Sequence, residues 1–289
     1  MTTTIGEKII VSLTSYGERL NNLPVILDTI YAQSVLPDKV VLNLAYEEVI
    51  PKDVMDYLIK HNVEINKVPD TKVYKKILPT LERYPDDCII SIDDDWLYPK
   101  NMIEDFIEVH KKYPDNPISG NKLVLWGMQC HCGCASLVKR EYFGEYMDLF
   151  NEDFVEICKS DDIFYTFCAV KNGTPYVRTK HEYFTNMQPF QSLVSYSENN
   201  PDCAEETHKY LIKEYGDINF VTAKYLALPY SQETQNIISE IDKRFIFLES
   251  NNLLLSQKYN SILNSSAFKL GSFLLKPIYW IKKIVNRNK

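Results

Sequence analysis

Three adjacent carboxylates, Asp93, Asp94 and Asp95, directly follow the apolar run Cys88-Ile-Ile-Ser-Ile92. Neighbouring carboxylates repel one another and resist losing water. A fold that gathers them needs a cation or hydrogen-bond donors to neutralise them. Their hard oxygens suit Mg2+ or Mn2+, ions that bridge protein carboxylates to phosphate oxygens. The competing reading is a solvated turn in which one Asp caps the next helix. A second pair, Asp161-Asp162, follows Ser160. Either can act as a general base toward a hydroxyl, but Ser-Asp-Asp is also an ordinary helix start. Cys130-His131-Cys132-Gly133-Cys134 invites a zinc reading. Structural zinc sites space each Cys pair by roughly two to four residues and take a second Cys or His pair from elsewhere. The expectation is therefore small buried thiols.

The elements that must position these groups alternate. Residues 8–13 read as a buried strand ending in the polar loop Thr14-Ser15-Tyr16-Gly17. Leu23, Ile26, Leu27, Ile30 and Tyr31 recur at helical spacing. Residues 39–44 read as a second strand, 51–60 as a helix, and Val63-Glu64-Ile65 as a short third strand. A helix around 75–83 stops at Pro85, and the strand 88–92 runs into the triplet. This alternation predicts an α/β fold with a largely parallel sheet. Ligands bind such sheets outside the carboxyl ends of the strands. Thr14 to Arg19, Asp70 and Asp93 to Asp95 all follow predicted strands, so they can converge on one cleft. Further on, 102–112 reads as a helix, 118–127 as a strand region and 154–170 as mostly helical. From about residue 231 the pattern becomes a long amphipathic helix. The expected division is a catalytic domain over 1–230 and a C-terminal helical extension over 231–289.

Composition narrows the function. Apolar residues make up 45% of the 289, enough for a core, and the formal net charge of −7 argues against a nucleic-acid binder. The last 25 residues differ: from Ser265 to Lys289 there is no Asp or Glu, while Lys269, Lys276, Lys282, Lys283, Arg287 and Lys289 are basic. Trp280, Tyr279 and the apolar residues among them suit a helix lying on an anionic leaflet. The competing reading is a helix packed on the domain or on a second copy, and residues 235–263 are a candidate for pairing two chains. The chain opens without a signal-peptide pattern, and the seven cysteines read as reduced cytosolic thiols. The expected location is the cytoplasm, peripheral on the inner face of the plasma membrane, which the resemblance described next makes that of a bacterium.

Three segments carry a resemblance. "IVSLTSYGERLNNLPVILDTIYAQSVLPDKVVLNL" from Ile10, "PDTKVYKKILPTLERYPDDCIISIDDDWLYPKNM" from Pro69 and "SDDIFYTFCAVKNGTPY" from Ser160 occur in this order. Together they resemble the nucleotide-sugar glycosyltransferases of the GT-A fold, in particular the large family-2-like inverting group and its bacterial surface-polysaccharide members. The likeness covers about 1–185 and implies a Rossmann-like mixed sheet flanked by helices.

The resemblance also implies roles. Thr14, Ser15 and Arg19 meet the uracil and diphosphate of a UDP-sugar donor, Asp70 bonds the nucleoside base, and Lys76 lies close to the donor. Asp93 and Asp94 lie by the ribose and the metal waters, and Asp95 coordinates Mn2+ or Mg2+ through the diphosphate. Asp161 or Asp162 is the base, and His181 stands where some members place a third metal ligand. Trp126 and Gln188 are candidates for sugar contact. The implied acceptor is a glycan or lipid-linked glycan of capsule or lipopolysaccharide. The glycine-rich segment common in the family is reduced here to Gly127 and Gly133, which leaves the acceptor side open. Two other readings compete. A sugar-nucleotide nucleotidyltransferase needs a glycine-rich phosphate loop, and "TSYGERL" has one glycine. A non-catalytic scaffold has no need of the carboxylates.

Overall fold

The computed structural model describes residues 6–121, 124–125, 128–131, 133–150, 152–179, 203–215, 255 and 258. The chain divides into two units, Met1–Pro229 and Tyr230–Lys289. The sheet and the helices around it belong to the first unit. The extension over 231–289, its basic tail and the pairing segment 235–263 lie outside the described residues except for two positions.

Strands β1 (Ile9–Thr14), β2 (Lys39–Ala45), β3 (Glu64–Val68) and β4 (Cys88–Ile92) form the parallel half of a seven-stranded sheet. Strands β5 (Ile118–Ser119), β8 (Ala135–Val138) and β9 (Val177–Arg178) complete it in the order β3-β2-β1-β4-β8-β5-β9. Strand β8 runs antiparallel to both β4 and β5, whereas β9 is parallel to β5. The short strands β6 (Val124–Leu125) and β7 (Met128–Gln129) pair separately. The sheet is thus mixed and mostly parallel, as the alternation of elements predicts.

Both faces of the sheet are covered, which is why the central strands β1 and β4 start as uninterrupted apolar runs. Because side chains alternate across a strand, Ile9, Val11 and Leu13 of β1 join Val40, Leu42 and Leu44 of β2 and Cys88, Ile90 and Ile92 of β4 in one layer. That layer packs under α1 (Leu23–Tyr31), α2 (Lys52–Lys60) and α4 (Met102–Lys112). Ile10, Val41 and Ile89 face the other way, toward α3 (Leu78–Arg83), α5 (Glu152–Ile157), α6 (Asp161–Lys171) and α7 (Cys203–Tyr215).

On that second face the strands turn polar toward their carboxyl ends. Asn43 donates to the Ser12 hydroxyl at 3.1 Å and to the Thr80 hydroxyl at 2.8 Å, and Asn66 donates to Asn43 Oδ1 at 2.9 Å. The Ser12 hydroxyl lies 2.6 Å from the Lys76 carbonyl. These groups are buried yet mutually bonded, as burial of polar atoms requires. They clamp the 3-10 turn Lys72–Lys76 onto the sheet.

Four sequence expectations change. The helix around 75–83 is a 3-10 turn followed by α3. Pro79 cannot continue the turn's hydrogen bonding and sits instead in the first turn of the new helix. The third strand is longer, Glu64–Val68. The described residues of 118–127 hold two short strands, β5 and β6. The helical stretch 154–170 breaks at Cys158-Lys159-Ser160 into α5 and α6. Among the described residues no helix is long and apolar enough to cross a membrane.

Candidate functional site

The 3-10 turn Gly17–Asn22 after β1 carries Arg19, the turn Lys72–Lys76 carries Lys76, and the loop after β4 carries the aspartate triplet. All three follow the carboxyl ends of parallel strands, β1, β3 and β4, the edge at which open α/β sheets bind ligands. Arg19 makes a two-pronged contact with Asp94, its Nε lying 3.1 Å from Oδ2, and its Nη2 also lies 3.0 Å from Asp95 Oδ2. Burial pushes the Asp94 carboxyl up and outweighs the opposing pull of Arg19.

Lys76 is the second fixed cation, and it is 5% exposed. Its ammonium lies 3.0 Å from Asp93 Oδ1, 2.9 Å from Asp161 Oδ2 and 3.2 Å from the Gly133 carbonyl. Burial works against its charge, but Asp161, Asp93 and Asp162 outweigh burial and hold the ammonium firmly protonated. Asp93 behaves differently: burial, reinforced by Asp95 and Asp161 against the pull of Lys76, pushes its carboxyl up to about 6. Its backbone is fixed by Tyr98, whose hydroxyl accepts from the Asp93 N–H at 2.9 Å and reaches the Cys134 carbonyl at 2.8 Å.

Helix α6 brings in the second carboxylate pair. Ser160 is its N-cap, accepting from the Ile163 N–H at 3.5 Å, so capping does not occupy either aspartate. Asp161 and Asp162 stand in the first turn, where the helix dipole favours negative charge. Burial raises the Asp161 carboxyl, but Lys76 more than offsets it and leaves the group below its ordinary value. Gly133 marks the point of closest approach. A Cβ there would lie 2.9 Å from Lys76 Nζ, 3.4 Å from Asp162 Oδ1 and 3.7 Å from Asp93 Oδ2. The triplet and the α6 pair therefore share one cleft, and a side chain at this position would displace the lysine.

His131 belongs to the same place, although its sequence setting suggested only a run of small thiols. It is fully buried, its backbone N–H donates to Thr166 Oγ1 at 2.9 Å, and its Nδ1 is 2.9 Å from the Tyr176 hydroxyl. Burial pushes its pKa down to about 3, so the ring is neutral at neutral pH. Nε2 makes no hydrogen bond, and a ring nitrogen of His131 lies within 4.8 Å of carboxylate oxygens of Asp161 and Asp162. No local signal marks His131: it meets α6 only because the chain between β7 and β8 folds back over that helix. Cys88, Cys130, Cys134, Cys158 and Cys168 form no disulfide.

The remaining predicted residues divide. Thr14 donates to the Asn43 carbonyl at 2.8 Å, and Ser15 is buried beside it. Asp70 is not drawn to the triplet. It pairs with Lys72 and Lys75, and its carboxylate accepts from the Lys72 N–H at 3.3 Å. These contacts outweigh the effect of burial and hold Asp70 at about 2. A lowered carboxylate stabilises the fold above its unfolded value and loses that contribution as pH falls through the folded one. Asp70→Asn is therefore expected to reduce stability slightly at neutral pH, by about 1 kcal/mol or less, because the Asp70 carboxylate and Lys72 are solvent-exposed and screened although Lys75 is buried. The difference from wild type should shrink between pH 3.8 and about 2 in denaturant titrations. His181, Trp126, Gln188 and Cys132 lie outside the described residues.

The residues present fit a divalent cation. Five carboxylates, Asp93, Asp94, Asp95, Asp161 and Asp162, face two fixed cations, Arg19 and Lys76. That excess of negative charge repels a diphosphate unless a further cation stands between them. Asp95 and Asp93 offer hard oxygens for it.

No protein-family model matches the chain, and no curated protein matches it. Among solved structures, the mannosyltransferase PcManGT from Pyrobaculum calidifontis in complex with GDP-Man and Mn2+ is similar with a TM-score of 0.57. The identity is 13%, over 94% of this chain and 84% of that one. A 4-diphosphocytidyl-2C-methyl-D-erythritol synthase matches at a TM-score of 0.41 and 12% identity, over 65% of this chain and 97% of that one. The order of strands, the helices on both sheet faces and the first of these likenesses together establish the architecture: the chain has a GT-A-like, Rossmann-related α/β fold.

Proposed function

We propose that the protein is a metal-dependent glycosyltransferase. It transfers a sugar from a UDP-sugar to a glycan or lipid-linked glycan acceptor, with inversion, in the synthesis of a bacterial capsule or lipopolysaccharide. The observation that carries this reading is the cleft itself: Arg19, Lys76 and the triplet on one wall, Asp161 and Asp162 on the other, meeting at Gly133. The fold shared with a mannosyltransferase whose complex holds GDP-Man and Mn2+ supports it.

In this reading Thr14, Ser15 and Arg19 receive the nucleoside diphosphate, and Asp70 bonds the base. Asp95 and Asp93 hold Mn2+ or Mg2+, with His181 as a third ligand. The bound ion supplies Lewis-acid stabilisation to a leaving diphosphate. Lys76 keeps Asp93 and Asp161 in register across the cleft and screens their repulsion. Asp162 takes the acceptor hydroxyl proton, because Asp161 is tied to Lys76 and is a weaker base for it.

Calorimetric titration of UDP and, in parallel, GDP tests the assignment, with Mn2+ and with EDTA, on wild type and Asp95→Ala. Metal-dependent UDP binding that disappears in Asp95→Ala is the expected result. Binding of GDP alone moves the donor to a guanine nucleotide. Binding of neither nucleotide sinks the donor site.

The tail over 265–289 is assigned in the same reading to an anionic membrane face, which brings the cleft to lipid-linked acceptors. The full chain should sediment with phosphatidylglycerol vesicles and stay in solution with phosphatidylcholine vesicles. Removal of 265–289 should abolish the difference, and equal behaviour with both lipids refutes the assignment.

A further inference from the structure

At the opposite end of β4 from the triplet, three side chains of different chemistry meet. Cys88 opens the strand, His110 comes from the last turn of α4, and Glu7 precedes β1. Cys88 Sγ lies 3.6 Å from His110 Nε2 and 3.2 Å from Glu7 Oε2, and His110 Nε2 lies 3.2 Å from the same Glu7 oxygen. Cys88 is fully buried and His110 is 4% exposed. Five residue steps at about 3.3 Å each separate Cys88 from Asp93, so this cluster is roughly 16 Å from the start of the triplet.

The hydrogen-bond partners decide which atoms are available. Tyr142 donates its one hydroxyl proton to the Pro114 carbonyl at 2.6 Å. Its oxygen, 3.3 Å from His110 Nδ1, therefore accepts from that nitrogen. A proton on Nδ1 leaves the Nε2 lone pair turned toward Cys88 and Glu7. A lone pair and a carboxylate oxygen at 3.2 Å repel unless a positive centre, a second ring proton or a metal ion, lies between them. The Nδ1–H to Tyr142 contact is the kind of outer bond that fixes the tautomer of a metal-binding histidine. Glu7 is oriented in turn by Lys139, 2.8 Å from its other oxygen.

The separations match a tetrahedral ion. Zinc bond lengths of about 2.3 Å to sulfur and 2.0–2.1 Å to nitrogen or oxygen give ligand–ligand edges of about 3.3–3.6 Å. A thiolate, an imidazole and a carboxylate form a borderline donor set, which favours Zn2+ over Mg2+ or Mn2+.

We propose that Glu7, Cys88 and His110 form a zinc site, separate from the donor cleft, that ties the segment before β1 to β4 and α4. Water completes the coordination from the cavity of about 640 Å³ that Glu7 lines with Asp87 and Lys139. Binding converts the Cys88 thiol to a thiolate and releases its proton to solvent.

Cobalt titrated into the metal-stripped full-length protein reports the site. A thiolate-to-cobalt charge-transfer band is expected in wild type and in Asp95→Ala, lost in Cys88→Ser and weakened in His110→Gln and Glu7→Gln. Absence of the band in wild type overturns the proposal, and so does a band that survives intact in folded Cys88→Ser. Should Cys88→Ser fail to fold, zinc-edge X-ray absorption of wild type decides. One sulfur among nitrogen and oxygen scatterers supports the site, and a shell without sulfur removes it.

Discussion

Asp162→Asn is expected to lower kcat by on the order of 10²–10⁴-fold, the usual contribution of a positioned general base. Donor affinity should stay within a few-fold of wild type. The amide keeps the volume and the helix-start geometry, because Ser160 rather than Asp162 caps α6. It also leaves the Lys76 contacts to Asp93 and Asp161 in place. The capacity to accept a proton is removed, together with one of the three negative charges that support the Lys76 ammonium. Asp161→Asn is the control. It withdraws a partner from a buried ammonium, so it should lower stability as well as activity. Single-turnover rates with a saturating donor, set beside calorimetric donor affinity, separate the two. If Asp162→Asn retains wild-type turnover while Asp161→Asn, still folded, does not, the base is Asp161. If both retain it, the inverting mechanism is wrong.

Lys76→Met should be the most destabilising single change in the cleft. It preserves most of the side chain's apolar contact and deletes the charge between Asp93 and Asp161. Removing one partner of a buried ion pair costs about 3–5 kcal/mol, because the other is left without compensation. The loss must depend on pH. With Lys76 absent, Asp93 and Asp161 are buried beside other carboxylates, and their folded values rise above the unfolded ones. Groups of that kind contribute stability at low pH and lose it as pH rises through the folded values. The variant should therefore lie close to wild type in acid and fall away toward neutrality. Urea denaturation of both proteins across that range tests this, and a gap that does not change with pH refutes the electrostatic account. Added Mn2+ should narrow the gap at neutral pH, since a divalent cation bound to Asp93 and Asp95 offsets part of the exposed repulsion.

Much of the cleft was legible because its parts are local. The run 88–92 followed by three aspartates predicts a strand that delivers carboxylates to its end, and β4 does so. The apolar period of 23–31 predicts α1, and the buried set Leu23, Ile26, Leu27 and Ile30 matches it. The parallel pairing of β1 to β4 follows from the alternation of strand and helix, which returns the chain to the same sheet in the same direction.

Other features depended on contacts between distant segments. Lys76 reads in the sequence as one of several lysines on a polar turn. It becomes the buried centre of the site only when β4 and α6 bring Asp93 and Asp161 to within 3.0 Å of it. Asp70, expected at the nucleoside base, stands in the same loop region and pairs with Lys72 and Lys75, a pairing with nearby cations that strand order alone does not reveal. His131 and Gly133 acquire meaning from the antiparallel β8, whose two-residue neighbours and short length carry no distinct period. Glu7, Cys88 and His110 lie 81 and 22 positions apart, so no spacing motif joins them. The amino-acid sequence by itself determined which strands form, which way their side chains alternate and where the carboxylates emerge. Tertiary structure decided which charges meet, because pairing of buried charges is set by distances of a few ångströms between elements remote in the chain, and hydrophobic periodicity carries no record of those distances.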